Sequence, residues 1–248
     1  MTTTAPTTAS TRPSPDPMRR RARIAGVLYL LTFVSIPTLS LYKPVKDDVG
    51  AFLLGAGSDT GVMAGALLEV IIGLAGISTA VVLFPVLKRQ NQSAALGIVT
   101  ARLVETTLIF VGVISLLSLT TLRDDVVGTA DADQASLVTA GHSLVAVYDW
   151  TFLLSQSLMP VFSALCLGTV LYRSGLVPRI LPTLGLIGAP LLLAADIAIF
   201  FGMFDRMGPI ALAALPIAVW EFSLGVYLTV KGFRPFAVAA LAPAGALR

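Results

Sequence analysis

Long apolar runs separated by short polar breaks dominate the chain. Six are long enough to cross a bilayer, at roughly 24–42, 61–87, 94–119, 143–172, 180–203 and 208–230. A helical crossing takes about 20 residues. The runs are continuous rather than alternating, which favours helices over barrel strands. The pattern predicts an all-α, polytopic membrane protein with six transmembrane helices in one bundle. The second and fourth runs exceed the hydrocarbon thickness and are expected to tilt or to project beyond it.

Ahead of the first run, residues 1–18 are Thr, Ser and Pro with almost nothing apolar. Such a composition cannot bury a core, so 1–18 is read as a disordered cytoplasmic tail. The six-helix domain then covers 19–234, and 235–248 forms a short C-terminal tail. The cluster "RRRAR" at 19–23 resembles the start of a signal peptide, but the run after it is too long and no small-x-small cleavage site follows. It is read as an uncleaved first membrane helix.

Composition agrees with the pattern. Only 12% of the 248 residues are charged and 56% are hydrophobic, against about 25% charged in soluble domains. The net charge of +3 does not point to nucleic acid, because the basic residues stand at the ends of the apolar runs. Arg19, Arg20, Arg21 and Arg23, then Lys88 with Arg89, Arg173 with Arg179, and Lys231 with Arg234 all fall on alternate flanks. The opposite flanks hold only Lys43, Lys46, Arg123 and Arg206, together with most of the loop acids, Asp131 and Asp133 among them. The positive-inside rule then places both termini in the cytoplasm of a plasma membrane. Pro160, Pro190 and Pro216 fall within the last three runs, where kinks would shape a cavity. Small residues at helical spacing, such as Gly61 with Gly65 and Gly73 with Gly76, suit close helix packing.

Six ionisable residues remain inside the runs: Glu69, Arg102, Glu105, Asp149, Asp196 and Glu221. Each costs about 2.5–3.5 kcal/mol at a helix centre, so they are expected to face the bundle interior, paired or wetted. By position they occupy the outer half and the midplane, which predicts a polar cavity opening outward with Arg102 at its floor. In "TARLVETTLIF" (100–110), Arg102 and Glu105 share a helix face and can pair. An acid from another helix would complete the arginine's fork. This pair reads either as a structural bridge that fixes packing or as a site for an anionic headgroup, a substrate or a proton. Glu69 and Glu221 have no base nearby in their own runs and are the leading proton-carrying candidates.

Other chemistry finds little support. His142 with Asp149, Glu69 or Asp196 is the one conceivable metal set, and no HExxH or Cys/His cluster accompanies it. No metal and no cofactor is expected. There is no GxSxG, P-loop or dinucleotide fingerprint. Tyr148 and Trp150 are read as interfacial anchors, and Ser155 and Ser157 of "LLSQSLMP" as bonding within their own helix. Arg173 and Arg179 flank a Ser-Gly turn that would suit anionic headgroups, although topology alone accounts for them.

"RIAGVLYLLTF", "TARLVETTLI", "GTVLYRSGLVPRILPTLGLIGAPLLL" and "VWEFSLGVYLTVKGF" occur in this order. Together they resemble a family of bacterial six-helix membrane proteins, the domain-of-unknown-function family 4386, over roughly 19–234. The resemblance implies the architecture and the Arg102, Glu105 and Glu221 positions. It implies no reaction. Pro182 departs from the family pattern. The combined expectation is a bilayer protein that handles a small molecule, an ion or a lipid headgroup, with proton coupling. An accessory or sensory protein with a structural ion pair is the alternative, and an intramembrane lipid-modifying enzyme a weaker one.

Overall fold

The computed structural model describes residues 16–128, 134–206 and 208–239. Most of both expected tails, with Asp131 and Asp133, lies outside the described residues. The architecture is all-helical, and six segments are long and apolar enough to cross a membrane: Pro17–Leu41, Asp59–Leu87, Gln92–Asp125, Gln134–Ser174, Ile180–Phe200 and Pro209–Val230. They are called spans 1 to 6.

Span 1 opens with α1 (Pro17–Leu31), where the Asp16 side chain accepts from the Met18 N–H at 3.0 Å and Pro17 fills the first turn. A 3₁₀ turn, Thr32–Ser35, breaks it before α2 (Thr38–Leu41). Two more short helices, α3 (Lys43–Asp47) and α4 (Val49–Leu53), fold over one end of the bundle, here called the loop end. Span 2 is α5 (Asp59–Leu87), capped by Ser58. A tight turn closed by Asn91, whose side chain accepts from the Ala94 N–H, leads into span 3 within α6 (Gln92–Gly128). Span 4 comprises α7 (Gln134–Leu153), a wide turn over Leu154–Leu158 and α8 (Met159–Ser174). Gly175, at φ +64°, then reverses the chain into span 5, α9 (Ile180–Phe200). A 3₁₀ segment, Pro209–Ala214, and α10 (Leu215–Val230) form span 6, and α11 (Pro235–Ala239) follows.

The principal packing pairs join each span to its chain neighbours and return span 6 to span 1, so the six helices close a ring. Apolar side chains such as Leu67, Ile114 and Ile187 face outward and are exposed, as a lipid-facing surface requires. Glycines set the tight seams. A Cβ on Gly26 would stand 2.5 Å from the Thr229 backbone nitrogen, and one on Gly185 would stand 2.5 Å from the Trp220 ring. Spans 1 and 6 therefore meet almost backbone to backbone, and span 5 offers span 6 a glycine seat for the Trp220 ring.

The prolines act less uniformly than the sequence suggests. Pro160 cannot donate to the carbonyl four residues back, and the wide turn just before it absorbs the disruption. Pro216 stands in the first turn of α10, where its missing N–H costs nothing. Pro190 lies inside an unbroken α9.

Candidate functional site

Three of the predicted residues converge at the centre of the ring. On α6, the Arg102 Nη1 donates to both Glu105 carboxylate oxygens at 2.9 Å. From the opposite side, Glu221 of α10 accepts from Arg102 Nη2 at 2.7 Å. The side chains of Arg102, Glu105 and Glu221 are 5%, 9% and 14% exposed, so the cluster is shielded but Glu221 is its most open member. Its second oxygen makes no hydrogen bond among the described residues. The Tyr29 ring of span 1 lies 5.6 Å from the guanidinium carbon, within cation–π reach. Thr106 closes the far side by donating to the Gly73 carbonyl of span 2 and to the Arg102 carbonyl. Glu221 is thus the acid from another helix that completes the arginine's fork. Its basic partner is not in its own run but comes from a span 119 positions away.

A cavity of about 260 Å³ lies against this triad. Its polar lining adds Thr32, Ser35 and Gln156, and Ile72, Leu192 and Ile217 supply apolar walls. Three irregular segments meet here: the 3₁₀ break of span 1, the wide turn of span 4 and the 3₁₀-to-α transition of span 6. Irregular backbone at membrane depth is tolerated where it lines such a cavity.

Glu69 forms a second buried centre. Its Oε1 accepts from the Tyr148 hydroxyl at 2.9 Å and from the Gln156 amide at 3.2 Å. Its Oε2 is buried and makes no hydrogen bond among the described residues, and neither does the Tyr42 hydroxyl. The Tyr42 ring sits on Gly65, one turn before Glu69, and packs edge-on to Tyr148 at 5.3 Å. Gln156 lines the central cavity and also bonds Glu69, so it bridges the two centres. The interfacial reading of Tyr148 is overturned: it is buried and bonds a carboxyl. Trp150 is half exposed and stacks on Phe200.

The remaining acids stand apart. Asp196 of α9 accepts from Ser157 at 2.5 Å and keeps one oxygen buried without a partner among the described residues. Ser157 therefore bonds across helices rather than within one, whereas Ser155 bonds back to the Thr151 carbonyl. Asp149 lies at the loop end rather than in the central cavity. It pairs with Lys46 and with Arg206, each at 2.7 Å, and its backbone carbonyl also accepts from Arg206. His142 is exposed on α7. Arg123 folds onto the loop end, donating to Asp59 at 2.8 Å and to the Gly55 and Gly57 carbonyls.

Sequence reasoning missed Gln156, Tyr42 and Tyr29. The polar tripeptide "SQS" just before Pro160 was the one available signal for Gln156.

The family model described as "Domain of unknown function (DUF4386)" matches residues 24–232, so the chain belongs to that family. No curated protein matches the chain, and no solved structure matches it.

Proposed function

We propose that this member of the DUF4386 family handles a small cationic solute or ion through the cavity beside Arg102, Glu105 and Glu221, with protons as the coupling ion. One observation carries the reading. A single guanidinium is already paired with two carboxylates through three hydrogen bonds, and the more open of these acids lines the cavity. With both acids ionised the triad holds an unbalanced negative charge in a low-dielectric setting. A cation or a proton at Glu221 neutralises it, whereas an anion has to compete with two carboxylates already paired with the one arginine. Glu69, linked through Gln156, is the second proton-carrying candidate, and Asp196 the third.

The host membrane is proposed to be a bacterial plasma membrane with both termini cytoplasmic. The support is the crowding of Lys and Arg on alternate turns. The loop end, with the Lys46–Asp149–Arg206 cluster, then faces outward and covers the route toward Glu69.

A second reading, an accessory or sensory role with a structural ion pair, is favoured by the same double pairing of Arg102. Uptake of labelled organic cations into proteoliposomes under an imposed proton gradient separates the two. Gradient-driven uptake that Glu221→Gln abolishes supports solute handling. Equal leak in wild type, the variant and empty vesicles supports the structural role.

A further inference from the structure

At the basic end of the bundle, Arg173, Arg179 and Arg234 line one cavity of about 540 Å³ together with Ser174, Gly175 and Phe236. We propose that this cavity binds the phosphate of an anionic phospholipid headgroup.

Topology explains why these residues are basic, but not why they converge. Arg173 ends α8 and Arg179 precedes α9, so the Gly175 turn brings those two together. Arg234 arrives separately, after span 6. Its backbone N–H donates to the Leu176 carbonyl at 2.9 Å, which pins the C-terminal segment onto the turn. Both partners in this docking are anchored: Leu176 and Val177 are fully buried on one side, Phe233 and Ala237 buried on the other. The three arginines are thus brought to one cavity by fixed backbone.

Asp16 is the one described acid at this end, and its side chain caps the first turn of α1. The turns at 88–91, 173–179 and 231–239 contain no Asp or Glu. Among the described residues the ion pairs involve Lys46, Arg102, Arg123 and Arg206, and none involves these three. Arg179 rests on the Tyr172 ring at 5.5 Å, a contact that holds the side chain without neutralising it. Three like charges around one space repel each other unless an anion sits between them. Guanidinium forks match phosphate oxygens in pairs.

The rim selects a lipid over a free phosphate. Ile180 and Phe236 are strongly exposed and Tyr172 moderately so, all beside the basic cavity. A charged recess rimmed by apolar side chains at a helix end fits a headgroup whose acyl chains lie alongside the bundle.

The test is retention of phosphatidylglycerol against phosphatidylcholine by the purified full chain, read by native mass spectrometry. Wild type is expected to retain the anionic lipid preferentially. Arg234→Gln is expected to weaken that preference about fivefold, from about 1 kcal/mol per basic residue near a membrane surface. The triple Gln variant of Arg173, Arg179 and Arg234 should abolish it, while Lys88→Gln/Arg89→Gln at the other basic turn should leave it intact. Should the triple variant not fold, Arg234→Gln and Arg234→Lys decide, the lysine keeping charge but losing the fork. Equal retention of the two lipids, or an equal loss in the Lys88/Arg89 variant, overturns the site. Stabilisation by soluble glycerol 1-phosphate that matches the lipid overturns the lipid assignment in favour of a free phosphate ligand.

Discussion

Arg102 of span 3 donates to Glu221 of span 6 over 2.7 Å across the centre of a ring that these helices close from opposite sides. The bond joins two spans that are not neighbours in the ring, and it depends on Glu105 to hold the guanidinium in place. Stability and the proposed solute binding therefore rest on the same three side chains.

Removing the arginine alone leaves two carboxylates facing each other in the interior. Arg102→Ala is expected to lower stability by about 3–5 kcal/mol, the range for orphaning a buried charge. Adding Glu105→Gln and Glu221→Gln to Arg102→Met should recover much of that loss. Thermal unfolding in detergent checks both. A triple variant as unstable as the single one would show that the damage is not electrostatic.

Glu69 accepts two hydrogen bonds through one oxygen. Glu69→Gln preserves an acceptor for Tyr148 and should change stability by less than about 1 kcal/mol. Glu69→Ala leaves Tyr148 and Gln156 without their acceptor and should cost about 1–3 kcal/mol. The same unfolding assay separates them.

Glycine substitutions distinguish seams from open faces. Gly26→Ala drives a methyl into the Thr229 backbone and the Gly225 carbonyl, and is expected to destabilise by about 1–3 kcal/mol. Gly76→Ala meets only the Arg102 Cδ, at 3.7 Å. It should be tolerated and gain up to about 1 kcal/mol from helix propensity.

Much of this was legible in the chain. Continuous apolar runs fixed the span number because lipid demands them, and Arg102 with Glu105 stood out because charge is costly there. Partners brought by tertiary packing left no local trace. Tyr148 looked like an interfacial anchor because its neighbours are Asp149 and Trp150, and only the seating of span 4 against span 2 reveals its bond to Glu69. Asp149 looked intramembrane because its run is apolar, yet Lys46 and Arg206 meet it from loops whose folding the pattern does not encode. The wide turn before Pro160 was likewise invisible, although the proline that provokes it was not.

Asp149 holds Lys46 and Arg206 together over the loop end. Asp149→Asn should loosen that cover by about 1 kcal/mol, the upper range for partly exposed pairs. In a Cys166→Ser background, a cysteine replacing Leu153, which lines the adjoining cavity, should then react about fivefold faster with a membrane-impermeant thiol reagent. An unchanged rate would mean that the cluster covers no access route.

The most direct test of the central reading is the melting temperature of purified wild type and Glu221→Gln across a panel of small organic amines, inorganic cations and matched anions. A ligand at a hundred times its Kd stabilises by about 2.7 kcal/mol. At least one cation should raise the wild-type midpoint and lose most of that effect in Glu221→Gln, with the anions inert. A cation shift that survives in Glu221→Gln, stabilisation by anions instead, or no shift at all would contradict it.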